Sequence, residues 1–277
     1  MNMNWLESIL YALISGLTQF LPVSAQAHKS ILLCLFGQDG EHPLMGLFIH
    51  ISVLTALIMR MRPQIKRLYR EYALRKIPKR HRRRTSDQQS LMDISLIKLA
   101  SVPMLLGFLL YPRTSVWAGE LYLVALFLLV NGLLLHIPMY LPAGNKDSRS
   151  LSRLDGLLVG IGSAAAVLPG VSRIGAAASI AACRGADLQQ AYKWSLLLSI
   201  PAVAVMVCFD IFAVIASGLA SVEFLFVLQC VLASGLSYMG AYVSITLMRS
   251  VVQRSGLSGF SYYCWGAGLF AFILYLI

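Results

Sequence analysis

Hydrophobic residues run along this chain in long unbroken stretches. Six of them, roughly 44–61, 92–111, 117–138, 190–216, 221–248 and 258–277, approach or exceed the ~20 helical residues that cross a ~30 Å hydrocarbon layer. A strand-built barrel would show short alternating segments instead, so the predicted elements are helices. Two further apolar stretches, 5–36 and 155–184, are interrupted midway, the first by Pro22-Val23-Ser24 and the second by Pro169-Gly170-Val171-Ser172.

Composition agrees with that pattern. The chain of 277 residues is 58% hydrophobic and 13% charged, with mean hydropathy +0.72. A soluble domain carries about a quarter charged residues, so this chain has too little polar surface to fold as a globule in water. The five cysteines all lie in apolar stretches at no metal-ligand spacing and read as small hydrophobes. The first apolar stretch is preceded by no Lys or Arg and carries Glu7, so it reads as retained rather than as a signal peptide.

The formal charge of +11 is concentrated. More than half of the basic residues fall between Arg60 and Arg84, directly after an apolar run. Such a block reads as a cytoplasmic loop at about 62–90 lying against anionic headgroups, rather than as a nucleic-acid arm. Within it, 64–84 alternates apolar and basic residues as an interfacial helix would. With 139–154 and 249–257 on the same side, six spans place both termini outside. Stretch 5–36 then enters and leaves from the outside, and 155–184 from the inside. The expectation is an all-α integral membrane protein, one polytopic domain over 1–277, with about six spanning helices. Added to these are two re-entrant helix–turn–helix segments related as an inverted repeat, with Gly16-x5-Pro22 set beside Gly162-x6-Pro169. The alternative is that Pro and Gly merely kink ordinary spans.

Polar residues gather at the breaks. The first offers Ser15, Gln19, Ser24, Gln26, His28 and Lys29, and the second Ser172 and Arg173. An ionisable residue at membrane depth is costly and marks a site by default. A half-helix start beside an arginine and two serines suits an anion. The ligand expected is therefore phosphorylated, with an apolar body in the bilayer. The reading requires the two breaks to meet, so that Arg173 and the His28 imidazole share one cavity. Further along, His50 is either a pocket-lining group or a satisfied core histidine. Asn131 and His136 read as helix-packing hydrogen bonders. Asp210 is a lone acid within a span, facing a cavity or wet at the outer end.

The segments Leu17-Thr18-Gln19-Phe20-Leu21-Pro22-Val23-Ser24, with His28 behind, and Pro169-Gly170-Val171-Ser172-Arg173-Ile174-Gly175 resemble two signature loops. These loops belong to the undecaprenyl-pyrophosphate phosphatase family, of the bacitracin-resistance type. The resemblance continues through Phe48-Ile49-His50, Trp194–Pro201 and Tyr262-Tyr263. It implies removal of the terminal phosphate of undecaprenyl diphosphate, recycling a lipid carrier for cell-wall synthesis in a bacterial cytoplasmic membrane. It also implies a divalent cation, Mg or Ca. Carried over residue by residue, the catalytic candidates are Ser24, His28, Ser172 and Arg173. Gln19, Gln26, His50, Gly170 and Gly175 are the substrate-binding candidates, and the metal ligands are unassigned. The expected partners are a polyprenyl phosphate lipid and, through 62–84, anionic headgroups. No nucleic acid is expected, and a homodimer is one option.

The departures are as informative. The family's first loop carries two glutamates one helical turn apart, and here those positions are Ser15 and Gln19. Ala25 stands where the family has a second serine, Ile174 replaces a serine and Ser163 a glutamine. A hard cation wants carboxylate oxygens, and near the breaks only Glu7, Asp155 and Asp187 remain, which read as helix-end charges. Two functions stay open: hydrolysis with a rearranged site, or a relative that binds and carries or senses the lipid phosphate without hydrolysing it.

Overall fold

The structure, a computed structural model, describes residues 3–77, 87–217, 223–254 and 256–277. In chain order its helices are α1 (Trp5–Gln19), α2 (Ala25–Leu35), α3 (Pro43–Lys76), α4 (Gln88–Gly107), α5 (Tyr111–Thr114), α6 (Leu121–His136), α7 (Arg153–Ala164), α8 (Arg173–Cys183), α9 (Leu188–Ser217), α10 (Phe224–Arg254) and α11 (Ser258–Leu276). Among the described residues no strand forms, and six helices are long and apolar enough to cross a membrane: α3, α4 with its continuation through α5, α6, α9, α10 and α11. Their outward faces carry exposed large apolar side chains such as Leu109, Phe212, Phe224 and Leu276. That surface belongs in lipid, and the chain is a multi-pass membrane protein.

The other four helices come as two pairs that fall short of a crossing. At 1.5 Å per residue, the 15 residues of α1 rise about 22 Å and the 11 of α2 about 16 Å. The 12 residues of α7 and 11 of α8 are no longer. The breaks have local causes. A proline disfavours helical backbone in the residue before it, and Leu168 is accordingly extended ahead of Pro169. Ser24 caps α2, its Oγ accepting from the Ala27 N–H, and Ser172 caps α8, its Oγ accepting from the Gly175 N–H at 3.1 Å. Ser24 holds φ +61°, the left-handed region that only glycine enters freely, and among the described residues it is the only non-glycine there. Gly170 occupies φ +129° where a Cβ would press into the backbone of Phe127 and Leu128.

Each half of the chain is a short helix pair followed by three long helices, and the packing exchanges partners between halves. Helix α1 lies along α10 of the other half, and α7 lies along α4, the corresponding long helix of the opposite half. Helix α3 faces its counterpart α9, and α6 faces α11. Small residues permit the exchange: a Cβ on Gly16 would strike the Ser237 carbonyl of α10, and one on Gly160 the Ala100 carbonyl of α4. The counterpart of Gly16 is therefore Gly160. Gly162, matched to it by sequence spacing, instead meets Ile180 and Ala176 of its own pair.

The basic segment differs from the expected loop. Helix α3 continues unbroken through Pro63 to Lys76, so 62–76 extends a spanning helix and is not an interfacial element beginning at 64. Residues 78–86 lie outside the described residues. The start of α4 is tied to this extension: Asp87 donates its N–H to Glu71 at 3.0 Å and receives Arg67 at 2.6 Å. Glu71 is buried and Arg67 exposed, and both tie the extension to the start of α4.

Candidate active site

The two breaks meet. Asn131 of α6 sits between them, donating Nδ2–H to the Pro22 carbonyl at 3.0 Å while its Oδ1 accepts from the Ser172 N–H at 2.8 Å. The Ser172 hydroxyl donates to the Leu21 carbonyl at 3.2 Å. Asn131 is fully buried, and its amide satisfies one orphan backbone group from each loop. The sequence reading of Asn131 as a packing hydrogen bonder understated it, because its partners lie 109 and 41 residues away.

Beside this junction is a small chamber of about 50 Å³, lined among others by Gln19, Ser24, Gln26, Ser172 and Arg173. It adjoins a larger cavity of about 950 Å³ that opens at the end away from the basic extension. Gln19, Ala25, Gln26, Tyr111 and Met206 line both. Arg173 is the first residue of α8 and is 9% exposed. Its Nε donates to Ser199 Oγ at 3.2 Å, and an Nη approaches Met206 Sδ at 3.9 Å. No carboxylate pairs with it among the described residues. A buried guanidinium without a counter-ion is several kcal/mol short of compensation in water-poor surroundings. An anion in the chamber would supply that compensation. Ser172 spends its hydroxyl on Leu21 and Gly175, whereas the Ser24 hydroxyl proton has no acceptor among the described residues and is free to donate.

The larger cavity adds charge. Lys29 pairs with Glu41 at 2.5 Å and lies 5.8 Å from the centre of the fully buried Tyr11 ring. His50 lines the wall, and its Nδ1 lies 2.6 Å from Asp210 Oδ2 of α9. With Nδ1–H donating to the carboxylate, a neutral ring leaves Nε2, without a partner among the described residues, as an acceptor. Ser199, Met206 and Asp210 share one face of α9 at spacings of seven and four, so the Arg173 contacts and the His50 contact form one line.

The structure therefore gathers Ser24, Ser172, Arg173, Gln19 and Gln26 in one chamber and His50 on the adjoining wall. Three sequence candidates lie elsewhere. His28 does not line either space. Its Nδ1 meets the Ser24 carbonyl at 2.8 Å, its Nε2 meets the Tyr263 hydroxyl at 2.7 Å, and its ring stacks on Tyr263 of α11. The expectation that Arg173 and His28 share a cavity is corrected: the imidazole on the cavity is His50. The reason is helix rotation, since α2 turns Gln26 and Lys29 to the cavity and His28 to α11. Gly170 and Gly175 shape the junction, Gly175 lying against Pro22, and do not face the cavity. Lys29, Glu41, Tyr11, Tyr111 and Asp210 complete the site. Only Lys29 and Asp210 carried a signal in the sequence, as ionisable residues at membrane depth.

A divalent cation finds no ready ligand set. Among the described residues no three His, Cys, Asp or Glu side chains come together to hold a metal. Ser15 spends its hydroxyl on the Tyr11 carbonyl at 2.6 Å, Glu41 of the cavity wall pairs with Lys29, and Asp210 meets His50. Glu7, Asp155 and Asp187 do helix-end work, accepting from the Asn4, Ser152 and Gln190 N–H groups respectively.

Comparison with known proteins agrees with the geometry. The family model described as "Bacitracin resistance protein BacA" matches residues 8–270. The protein named "Undecaprenyl-diphosphatase" in Methanobrevibacter smithii is 28% identical over 276 residues, covering 98% of each chain. Its namesake in Syntrophotalea carbinolica is 29% identical over 272 residues, 96% of this chain and 97% of that one. "Undecaprenyl-diphosphatase 3" of Frankia alni is 34% identical over 222 residues, 76% of this chain and 73% of that one.

Proposed function

We propose that this chain, which belongs to the family of the bacitracin resistance protein BacA, is an undecaprenyl-diphosphatase. It removes the terminal phosphate of undecaprenyl diphosphate, or of a related polyprenyl diphosphate, and returns the lipid monophosphate for reuse in cell-wall synthesis. The observation that carries this reading is Arg173, a buried cation with no counter-ion among the described residues, lining a small chamber that adjoins the open cavity. A bacterial cytoplasmic membrane, with the cavity toward its outer side, fits the basic extension of α3 at the opposite end. The two short helix pairs then dip into the bilayer from opposite faces as re-entrant segments.

In this reading the Arg173 fork holds two oxygens of the terminal phosphate, and the Ser24 hydroxyl donates to a third. Lys29, which pairs with Glu41, offers its ammonium to the phosphate where the substrate competes for it. His50 Nε2 takes a proton from a water molecule as its oxygen bonds to the terminal phosphorus. The bond to the bridging oxygen breaks, and its electron pair leaves on the lipid monophosphate. The proton on Nε2 then passes to solvent, and Asp210 stabilises the transient imidazolium. Charge is neutralised by Arg173 and Lys29, and no step is routed through a metal, because the residues present do not provide its ligands.

The test is phosphate release from polyprenyl diphosphate by the purified protein in detergent. Loss of release in Arg173→Ala, with the protein still folded, supports the reading. A second reading, binding and carriage of the lipid phosphate without hydrolysis, is favoured by one observation: Ser15, Gln19 and Ala25 stand where the family resemblance places two carboxylates and a serine. Tight binding with no release by the wild type would establish it in place of the first.

A further inference from the structure

Lys98 lies within the spanning part of α4, on the stripe that also carries Val102, Leu106 and Leu109, all of them exposed on the lipid-facing side. An ammonium at such a depth is costly, and a lysine relieves the cost by running its chain along apolar surface toward the headgroups. The Lys98 ammonium does this, standing 4.4 Å from the centre of the Tyr72 ring on the basic extension of α3. Tyr72 follows Glu71, which accepts the N–H of Asp87 at the cap of α4, so the ring lies level with the start of that helix. Lys98 thereby returns its charge to the membrane border.

A second ammonium meets the same ring. Lys76, one turn beyond Tyr72, places its Nζ 5.2 Å from the ring centre. Tyr69, Tyr72 and Lys76 follow one another at spacings of three and four, share a face of α3, and are all exposed. Two cations from different helices thus arrive at one aromatic ring. The ring attracts each of them weakly at an exposed site and neutralises neither. The acids of the α3 extension and of α4 are spent elsewhere. Glu71 is buried and accepts from Asp87, and Asp87 receives Arg67 and the Ser90 hydroxyl. Asp93 is buried, accepting from the Trp194 indole and the Gln190 amide and facing Lys193. Among the described residues neither Lys76 nor Lys98 has a carboxylate partner.

We infer that Lys98, Lys76 and Tyr72 form a binding site for the phosphate headgroup of an anionic glycerophospholipid in the leaflet at the basic end of the molecule. The lysines supply the charge and the phenol an O–H donor to phosphate oxygens. The exposed stripe of α4 beyond Lys98 gives the acyl chains an apolar surface to lie on. That continuity between the two ammonium groups and the lipid-facing surface selects a lipid over a water-soluble anion. The contact with headgroups expected over 62–84 is narrowed to one place, and part of it comes from α4. The site shares no residue with the cavity or its chamber, so it stands whether or not the chain hydrolyses a diphosphate.

The test is native mass spectrometry of the intact protein in detergent, titrated with phosphatidylglycerol and, for comparison, with phosphatidylcholine and water-soluble glycerol phosphate. A single phosphatidylglycerol is expected to be held about tenfold more tightly than phosphatidylcholine. Lys76→Gln with Lys98→Gln should abolish that preference, and the paired arginine variant should keep it. Arg62→Gln with Arg70→Gln removes the same charge from exposed positions on the same extension and should leave the affinity within about twofold. Melting temperatures report whether each variant folds, and Lys98→Gln alone, at about a threefold loss, replaces the pair if the pair does not. Equal losses in the two glutamine pairs would assign the attraction to overall charge. Equal retention of phosphatidylcholine would show that no anion is needed, and equal affinity for glycerol phosphate that no lipid is. Any of the three overturns the inference.

Discussion

Asp210 of α9 meets His50 of α3 at 2.6 Å, across 160 residues of chain, and His50 lines the cavity that adjoins the chamber of Arg173. A buried imidazole with one nitrogen on a carboxylate and the other unpartnered is arranged to accept a proton. Each residue alone is ordinary: a histidine in one span, an acid in another. Their meeting gives the site a base that neither the first break nor the second supplies, because His28 has both ring nitrogens engaged away from the cavity.

The first prediction follows from that pair. His50→Gln should lower kcat for phosphate release by about 100-fold with little change in KM, the range usual for loss of a general base. Asp210→Asn should cost less, about tenfold, and should change the shape of the rate–pH profile, since it frees the tautomer without removing the ring. A purely structural role would instead lower the melting temperature of both variants and leave the profile of the surviving activity unaltered. His28→Gln, by the same reasoning, should act mainly on stability through Tyr263.

Asn131 carries the second prediction. Asn131→Leu keeps the volume and leaves the Pro22 carbonyl and the Ser172 N–H unsatisfied in a buried place. Each such group costs about 1–3 kcal/mol. The variant should melt well below the wild type. Any protein that remains folded should lose phosphate binding along with turnover, because the two breaks are no longer held in register. Asn131→Asp keeps the acceptor for Ser172 but loses the donors to Pro22 and Cys264, and its buried carboxylate against the Pro22 carbonyl should destabilise it at least as much. If Asn131→Leu melts like the wild type, the staple is not holding the loops.

How much of this was legible beforehand depends on whether a feature is local. Hydrophobic length belongs to a segment, so all six long helices were predictable, as were the breaks, because proline acts on its immediate neighbours. Ser24 and Ser172 were visible as polar residues at those breaks, and their capping role follows from position. Helix rotation was not legible. Whether α2 turns His28 or Lys29 to the cavity is decided by Tyr263 on α11, 235 residues away. Nor could Asp210 be assigned between cavity and solvent while its partner was unknown. The α3 extension was misread for a similar reason: Glu71 is buried and receives the N–H of Asp87, 16 residues on at the start of α4.

The third prediction concerns acid. The Ser90 hydroxyl and then the Arg67 guanidinium hold the Asp87 carboxyl down at about 2, against an ordinary value of 3.8. A carboxyl depressed in the folded state contributes stability that is fully present above its unfolded value and is lost as pH falls through the folded one. The melting temperature of the wild type should therefore exceed that of Asp87→Asn by a constant margin above about pH 5. The margin should shrink between about pH 4 and pH 2. Asparagine keeps the α4 cap on the Gln89 N–H, so the comparison isolates the charge. The side chain is 36% exposed and its partner Arg67 45%, so screening limits the margin to below about 1 kcal/mol. A margin independent of pH down to 2 would show that the charge contributes nothing.

The last prediction separates two positions that the family resemblance treats as a pair. Ser15 is 1% exposed, bonded to the Tyr11 carbonyl and absent from the cavity wall, whereas Gln19 lines both the chamber and the cavity. A glutamate at 15 would place a carboxylate among packed helices, a burial that costs at least about 2 kcal/mol. Ser15→Glu should thus melt markedly lower than the wild type. Gln19→Glu should fold normally, because its carboxylate would stand in the open cavity within the field of Arg173 and Lys29. It should also change how the protein responds to metal. The wild type, stripped with EDTA and assayed for bound metal without substrate, should hold no stoichiometric divalent cation, while Gln19→Glu should gain stimulation of phosphate release on adding Mg²⁺ or Ca²⁺. If the wild type retains a tightly bound cation through stripping, the charge neutralisation assigned here to Arg173 and Lys29 is wrong. A Ser15→Glu variant as stable as its parent would place that residue on the cavity after all.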